Sequence, residues 1–270
     1  MSAVKASPLE QVRVTQARVT RSEWTKLRSV RSTRWTLLAA LVLIIGIGII
    51  VCLVFESRWP HLDLRERARF NPLRASLTGV NLAQLAFGVL GVMTISAEYS
   101  TGMIRSTFSA VPSRLPVLWG KALVFAAVAL VISLPAVFIV FLIGQGILSG
   151  RHINTALSHA GVLRTLIGAS LFMTAMGLFG LGLGAILRST AAGISALVAI
   201  MFVLPPIVGI LPSSITDTVN KFMPSNAGGA IWRTDSGAHL FSPWAGFAVF
   251  CGYIAVVLVL AAVLMRRRDT

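Results

Sequence analysis

LLAALVLIIGIGIIVCLVF, residues 37–55, decides the fold. The run carries no charge and is apolar on every side. Wound as a helix it would reach about 28 Å, close to the hydrocarbon thickness of a bilayer. A membrane β-strand would alternate over about ten residues, and this run neither alternates nor stops there. Runs of similar character lie near 36–55, 77–97, 117–148, 165–187, 189–211 and 244–265. An all-α, polytopic membrane protein with six transmembrane helices is therefore expected. With 56% apolar and only 12% charged residues, and a mean hydropathy of +0.82, the chain lies outside the range of ordinary soluble domains. A basic tail of about 35 residues precedes the first run, and Glu56, Ser57 and Arg58 follow it where a small-residue cleavage site would stand. The first span is thus expected to be retained.

The formal net charge is +15. If both termini face the cytoplasm, fifteen of the 24 Lys and Arg residues fall on inner segments and nine on outer ones. That agrees with the positive-inside rule, although Arg58, Arg65, Arg67, Arg69 and Arg74 load the outer connection 56–77. The excess reads as topology and affinity for anionic lipids, not nucleic-acid binding.

Enzyme chemistry is not expected in this chain. No Asp, Glu, Lys, Arg or His falls in the middle of an expected span, which argues against a proton-coupled carrier. Gly193, Ile194, Ser195 and Ala196 resemble an intramembrane protease nucleophile motif, but His61, His152, His159 and His239 all lie in outer connections and no base is at hand. There is no zinc spacing and no phosphate loop of the GxxxxGK[ST] type. Catalytic, cofactor and metal residues are therefore none. Cys52 and Cys251 lie inside spans and read as packing residues, not a disulfide.

The informative polar stretch is the hinge AEYSTGMIRSTFSAVPSRLPVLWGK, residues 97–121. Met103, Ile104, Thr107 and Phe108 can line one side of a two-turn helix there, limited by Pro112 and Pro116. Upstream, Thr20 and Glu23 have capping-box spacing, and Trp24, Leu27 and Val30 share one side of the helix that would follow. Within the spans, Ser170, Thr174, Gly177, Gly180 and Gly184 form a small-residue stripe suited to close packing inside one subunit. Pro135 predicts a kink in the third span, and Pro205 with Pro206 a broken fifth helix. Ser242, Pro243 and Trp244 read as the cap, first residue and interface anchor of the sixth.

The pattern Glu98, Tyr99, Gly102, Arg105, Pro112, Ser113, Arg114 and Lys121 resembles the permease subunits of type-2 ATP-binding-cassette (ABC) exporters, in their short six-helix prokaryotic form. The resemblance extends to SEWTKLRSVRST before the first span, MPSNAGGA in the last outer connection and the terminal RRRD. It implies the permease fold, with a cytoplasmic tail over 1–35 that holds an interfacial connecting helix and a transmembrane domain over 36–265. A coupling helix would occupy about 99–114 and an extracytoplasmic segment, with short re-entrant or surface helices, about 207–243; residues 266–270 would form a second cytoplasmic tail.

Glu98, Tyr99, Gly102, Arg105, Pro112 and Arg114 would then couple the chain to a separate ATPase subunit that holds ATP and magnesium. Trp24, Leu27, Arg28 and Arg31 would belong to the interfacial helix. The resemblance implies a homodimer or heterodimer of permeases in a prokaryotic plasma membrane, exporting an unidentified substrate. A non-transporting sensor or immunity subunit, or an ATP-independent carrier, are the alternative readings.

Overall fold

The computed structural model describes residues 15–111, 114–210, 212–234 and 241–267. Pro112, Ser113, the RRRD end beyond Arg267 and residues 235–240 of the last outer connection lie outside them. The described chain is all-helical, at 84% helix with no strands, and six of its helices are long and apolar enough to cross a membrane.

The chain starts with α1 (Gln16–Ser29), which stops where Val30 turns extended, at φ −75° and ψ 120°. The Arg34 guanidinium closes that end, donating to the Arg28 carbonyl from Nε at 3.0 Å and Nη2 at 2.8 Å, which satisfies a carbonyl the helix leaves open. The first span, α2 (Arg31–Arg58), follows at once. Helix thus begins five residues before the expected span, and Arg31, expected to share a helix with Trp24, Leu27 and Arg28, lies in the first turn of α2 and not in α1. The connection beyond is structured. It holds a single 3₁₀ turn (Trp59–His61), α3 (Leu64–Arg69) and α4 (Pro72–Ser76). Asp63 and Glu66 form a full capping box on α3, and Asn71 caps α4 through Arg74 N–H at 3.0 Å.

The second span is α5 (Val80–Ser100), followed by the short α6 (Met103–Ala110) and by α7 (Leu115–Ser149). At 35 residues α7 is about 52 Å long, more than the bilayer core requires, and it stays helical through Pro135. The fourth span, α8 (Val162–Leu187), is the centre of the bundle: 83% of its apolar window is buried by protein.

The fifth span runs through α9 (Thr190–Val198), a π-turn (Ala199–Val203) and α10 (Leu204–Val208). Pro205 and Pro206 do not break it, contrary to the sequence expectation. The helix widens instead, immediately upstream, where i→i+5 pairing accommodates the missing proline N–H donors. Two short helices, α11 (Ser213–Phe222) and α12 (Pro224–Gly229), precede the last span, α13 (Pro243–Arg267). Pro243 is its first residue, the Ser242 carbonyl accepts from Gly246 N–H at 2.9 Å, and the Trp244 ring is exposed. Cys52 is buried and Cys251 exposed, and both are free thiols.

Small residues set the spacing of the two central helices, and they do so within one chain. A Cβ at Gly91 would collide with the Gly177 carbonyl, one at Gly180 with the Gly88 carbonyl, and one at Gly184 would stand 2.7 Å from the Val92 oxygen. Lipid is as apolar as leucine, so close backbone approach, not hydrophobic sequestration, holds such helices together. Gly180→Ala is expected to separate α5 from α8 and cost about 3 kcal/mol, visible as a large fall in detergent melting temperature. Gly252→Ala, where a Cβ meets nothing within 4 Å, is expected to leave the melting temperature unchanged.

Candidate functional site

Contacts sort the helix ends into two sets. Arg114, at the start of α7, donates from Nη1 to the Met265 carbonyl near the end of α13 at 3.0 Å. Arg188, just past α8, lies over the Tyr99 ring at the end of α5, 5.1 Å from its centroid. Gln16 of α1 donates to the Pro116 carbonyl of α7 at 3.1 Å. These contacts place α1, α6 and the C-terminus of α13 at one end of the bundle, with the start of the first span and the end of the last on the same side.

At that end lies a closed ring of four charges. Lys121 Nζ is 2.6 Å from Glu23 Oε2 and 2.6 Å from Glu98 Oε1. Lys26 Nζ is 2.9 Å from Glu23 Oε1 and 3.1 Å from Glu98 Oε1. Each ammonium thus bridges both carboxylates, and the ring is neutral overall. Thr107 of α6 joins it, accepting from Lys26 at 3.3 Å and lying 3.5 Å from Glu98 Oε2. The Lys121 side chain is only 2% exposed and that of Glu23 4%, whereas Lys26 keeps 29%. Burial depresses the Lys26 pKa, but hydrogen bonding and charge from Glu23, with Glu98 adding to both, outweigh it and hold the group above the usual lysine value of 10.5.

Periodicity explains why α1 can reach the ring. Gln16, Val19, Glu23 and Lys26 recur at helical spacing and form one stripe against α7, with Val19 and Glu23 buried. The side that carries Trp24, Leu27 and Val30 is more open: Trp24 is 49% exposed and Val30 45%, while Leu27 is half-buried. The Thr20–Glu23 capping box does not form. The helix begins earlier, Thr15 is at its N-terminal boundary, and Thr20 donates to the Gln16 carbonyl within the helix at 2.9 Å.

The expected coupling residues divide. Glu98 enters the ring and Tyr99 packs beneath Arg188, both from the last turn of α5. Ser96, one turn earlier, meets Thr190 of α9 hydroxyl to hydroxyl at 2.8 Å. Gly102 starts α6 in the left-handed region, φ 72°, which frees the helix to turn back across the bundle end. Arg105 is exposed. Arg114, half-buried, has the Met265 carbonyl as a partner within the chain. Pro112 lies outside the described residues. On α6, Ile104 is buried, and Met103, 50% exposed, lines the cavity that the ring also lines; Phe108's side chain is not described. Arg28 and Arg31 are both exposed.

Glu23, Lys26 and Lys121 complete the ring but escaped selection as site residues. Scarcity of acid was the available signal. With nine acidic against 24 basic residues, a glutamate inside a basic tail and another ending an apolar span stand out as candidate partners for cations.

The ring lines a cavity of about 260 Å³ together with Leu27, Val30, Met93, Thr94, Met103 and Val124. The arrangement has the chemistry of a joint. Its charges are saturated by one another, and among the described residues no three His, Cys, Asp or Glu side chains come together to hold a metal.

Lys121→Met removes one cation and leaves the buried acids in excess. It is expected to cost about 3–5 kcal/mol, measured by thermal unfolding in detergent. Glu98→Gln in the same background restores neutrality around the Glu23–Lys26 pair, so the double variant should lose markedly less than the sum of the singles. The Lys26 pKa is raised on folding, so its contribution is full below the unfolded value near 10.5. It is lost as pH rises through the higher folded value. Stability should not respond to this pair between pH 6 and 9 and should fall above about pH 10.5, with the fall absent in Lys26→Met.

The chain matches no protein-family model and no curated protein sequence.

Proposed function

We propose that this chain is the membrane-spanning permease of an ATP-driven exporter of the type-2 ABC class, carrying substrate across a prokaryotic plasma membrane while a separate subunit hydrolyses ATP. One observation carries the reading: α6 is a short helix strung between two spans and tied to them through the buried charge ring. Thr107 joins α6 to Lys26 of α1 and to Glu98 of α5, and Glu98 in turn binds Lys121 of α7. A push on α6 is therefore delivered to α1, α5 and α7 together, and is not dissipated in a loop.

The outward residues of α6 are Met103, Arg105, Ser106 and Ser109, one apolar, one cationic and two hydroxyl-bearing, a composition suited to an acidic-rimmed groove on a partner. In this reading the α6 end faces the cytoplasm. That orientation also places the basic α1 and the Arg266–Arg267 pair against the anionic inner leaflet. Two copies would enclose the path, and ATP with magnesium would belong to the ATPase.

The test is purification of the tagged full chain from its native membranes in mild detergent, followed by mass spectrometry of what stays bound. A stoichiometric ATPase is expected, with ATP-dependent export in vesicles. Arg105→Glu should lower ATPase retention and export at least tenfold while the permease still inserts. Absence of any ATPase from the intact protein would overturn the proposal. Retention without flux would identify a sensor.

A further inference from the structure

A second cavity, of about 170 Å³, shares Leu27 and Thr33 with the one beside the charge ring but does not include the ring. It lies where α1 meets the start of α2 and the flank of α7. Trp24 and Leu27 of α1, Leu37 of α2 and Val128 of α7 give it apolar walls. Among the described residues that line it, Arg28 and Arg34 are the charged ones, and there is no carboxylate. Trp24, Arg28 and Arg34 are exposed, so the cavity is open to its surroundings.

Position along the spans fixes what those surroundings are. Arg34 stands in the first turn of α2, the first helix long and apolar enough to cross a membrane. One turn beyond it Leu38 is 50% exposed, and one turn beyond Val128 on α7 Val131 is 71% exposed. The apolar walls therefore run out onto bare apolar surface of two spans, the surface that hydrocarbon covers, while the arginines lie at the level where the first span begins.

The charge at that level is both oriented and uncompensated. Arg34 is held against the end of α1 by its two bonds to the Arg28 carbonyl. Its Nη1 and the Arg28 guanidinium have no hydrogen-bond or ion-pair partner among the described residues. Arg31, one turn before Arg34, is exposed as well. The one acid on α1, Glu23, is already engaged by Lys26 and Lys121.

We infer that this cavity is a specific site for one anionic glycerophospholipid of the adjacent leaflet. An acyl chain lies along Trp24, Leu27, Leu37 and Val128, and the guanidiniums of Arg28 and Arg34 hold the phosphate. Guanidinium forks match phosphate oxygens, basic pockets between membrane helices take anionic head groups, and an indole is at home at head-group level. Because α1, α2 and α7 all contribute walls, the bound lipid ties α1 to the spans from outside the charge ring. The inference rests on α2 and α7 crossing a membrane and not on the transport reading.

The experiment places the full chain in phosphatidylcholine nanodiscs, in which a rising fraction of the lipid is replaced by acyl-brominated phosphatidylglycerol or, separately, acyl-brominated phosphatidylcholine. Bromine quenches an indole on contact, and the Trp24 emission is obtained as the difference from Trp24→Phe. Trp24 should be half-quenched at a phosphatidylglycerol fraction about tenfold below the phosphatidylcholine fraction that does the same. Arg28→Gln should cut that preference about fivefold. Arg21→Gln, which removes the same charge from α1 outside the cavity, should leave it unchanged.

Equal quenching by the two lipids would overturn the inference, reducing the cavity to ordinary bilayer contact. Equal losses in Arg21→Gln and Arg28→Gln would overturn it too, reducing the preference to diffuse charge. So would the lack of Trp24 quenching by either lipid, which would show the cavity to be filled by protein.

Discussion

Four charges that neutralise one another out of water hold the α6 end of this protein together. Lys121 sits seven residues into α7, where an unpaired ammonium would be prohibitively desolvated, and it is tolerated because Glu23 and Glu98 each approach to 2.6 Å. Neither acid could remain ionised there without cations, and Lys26 supplies the second. The ring therefore forms as a unit. It fixes the rotation of α1 about its axis, the seating of the last turn of α5 and, through Thr107, the seating of α6. A well-packed apolar replacement can match buried ion pairs of this kind in energy, whereas removal of one partner strands a charge.

Farther along the bundle the organising constraint changes from charge to volume. In α5 and α8 the glycines let backbone approach backbone, and α8 becomes the most protein-buried span. The outer spans show the complementary pattern, with α2 and α13 carrying apolar side chains such as Val42, Ile50, Val256 and Val259 on their exposed surfaces. The two regimes meet where Ser96 of α5 pairs with Thr190 of α9 and Arg188 covers Tyr99. Arg188 can do so because its backbone is left-handed, φ 53°, as the chain reverses from α8 into α9. A movement of the α6 end thus has a structural route into the glycine-packed centre. The opposite end has an Arg151–Glu56 ion pair at 3.0 Å, half exposed, and a buried network of neutral groups. Gln145 donates to Ser76 Oγ at 2.8 Å and to the Pro72 carbonyl at 3.2 Å, while its own oxygen accepts from Thr155 N–H at 2.7 Å.

The six spans were legible in residue order alone, because a run such as 37–55 has no other stable environment and its backbone no other way to satisfy its hydrogen bonds in lipid. The small-residue stripe on α8 was legible for the same reason: only close backbone contact explains glycine at that spacing in a membrane helix. Helix beyond the apolar runs was less so. α2 begins at Arg31 and α3 is built on an Asp63–Glu66 capping box, features governed by local hydrogen bonds that a hydropathy argument does not weigh. The fifth span keeps its helix past two prolines because a π-turn forms ahead of them, a backbone adjustment without a residue signature.

What the sequence determined by itself was the class of the protein, an all-helical chain with six helices long and apolar enough to cross a membrane and charge concentrated at their ends, since apolar run length depends on composition and order. Which charges meet was decided only in three dimensions. Glu23, Glu98 and Lys121 are separated by 75 and 23 positions in the chain, and the ring exists because α1 lies across the start of α7 with its Gln16, Val19, Glu23 and Lys26 stripe inward. Pairing energies of this kind depend on distance and local polarity, and neither is encoded in spacing along the chain.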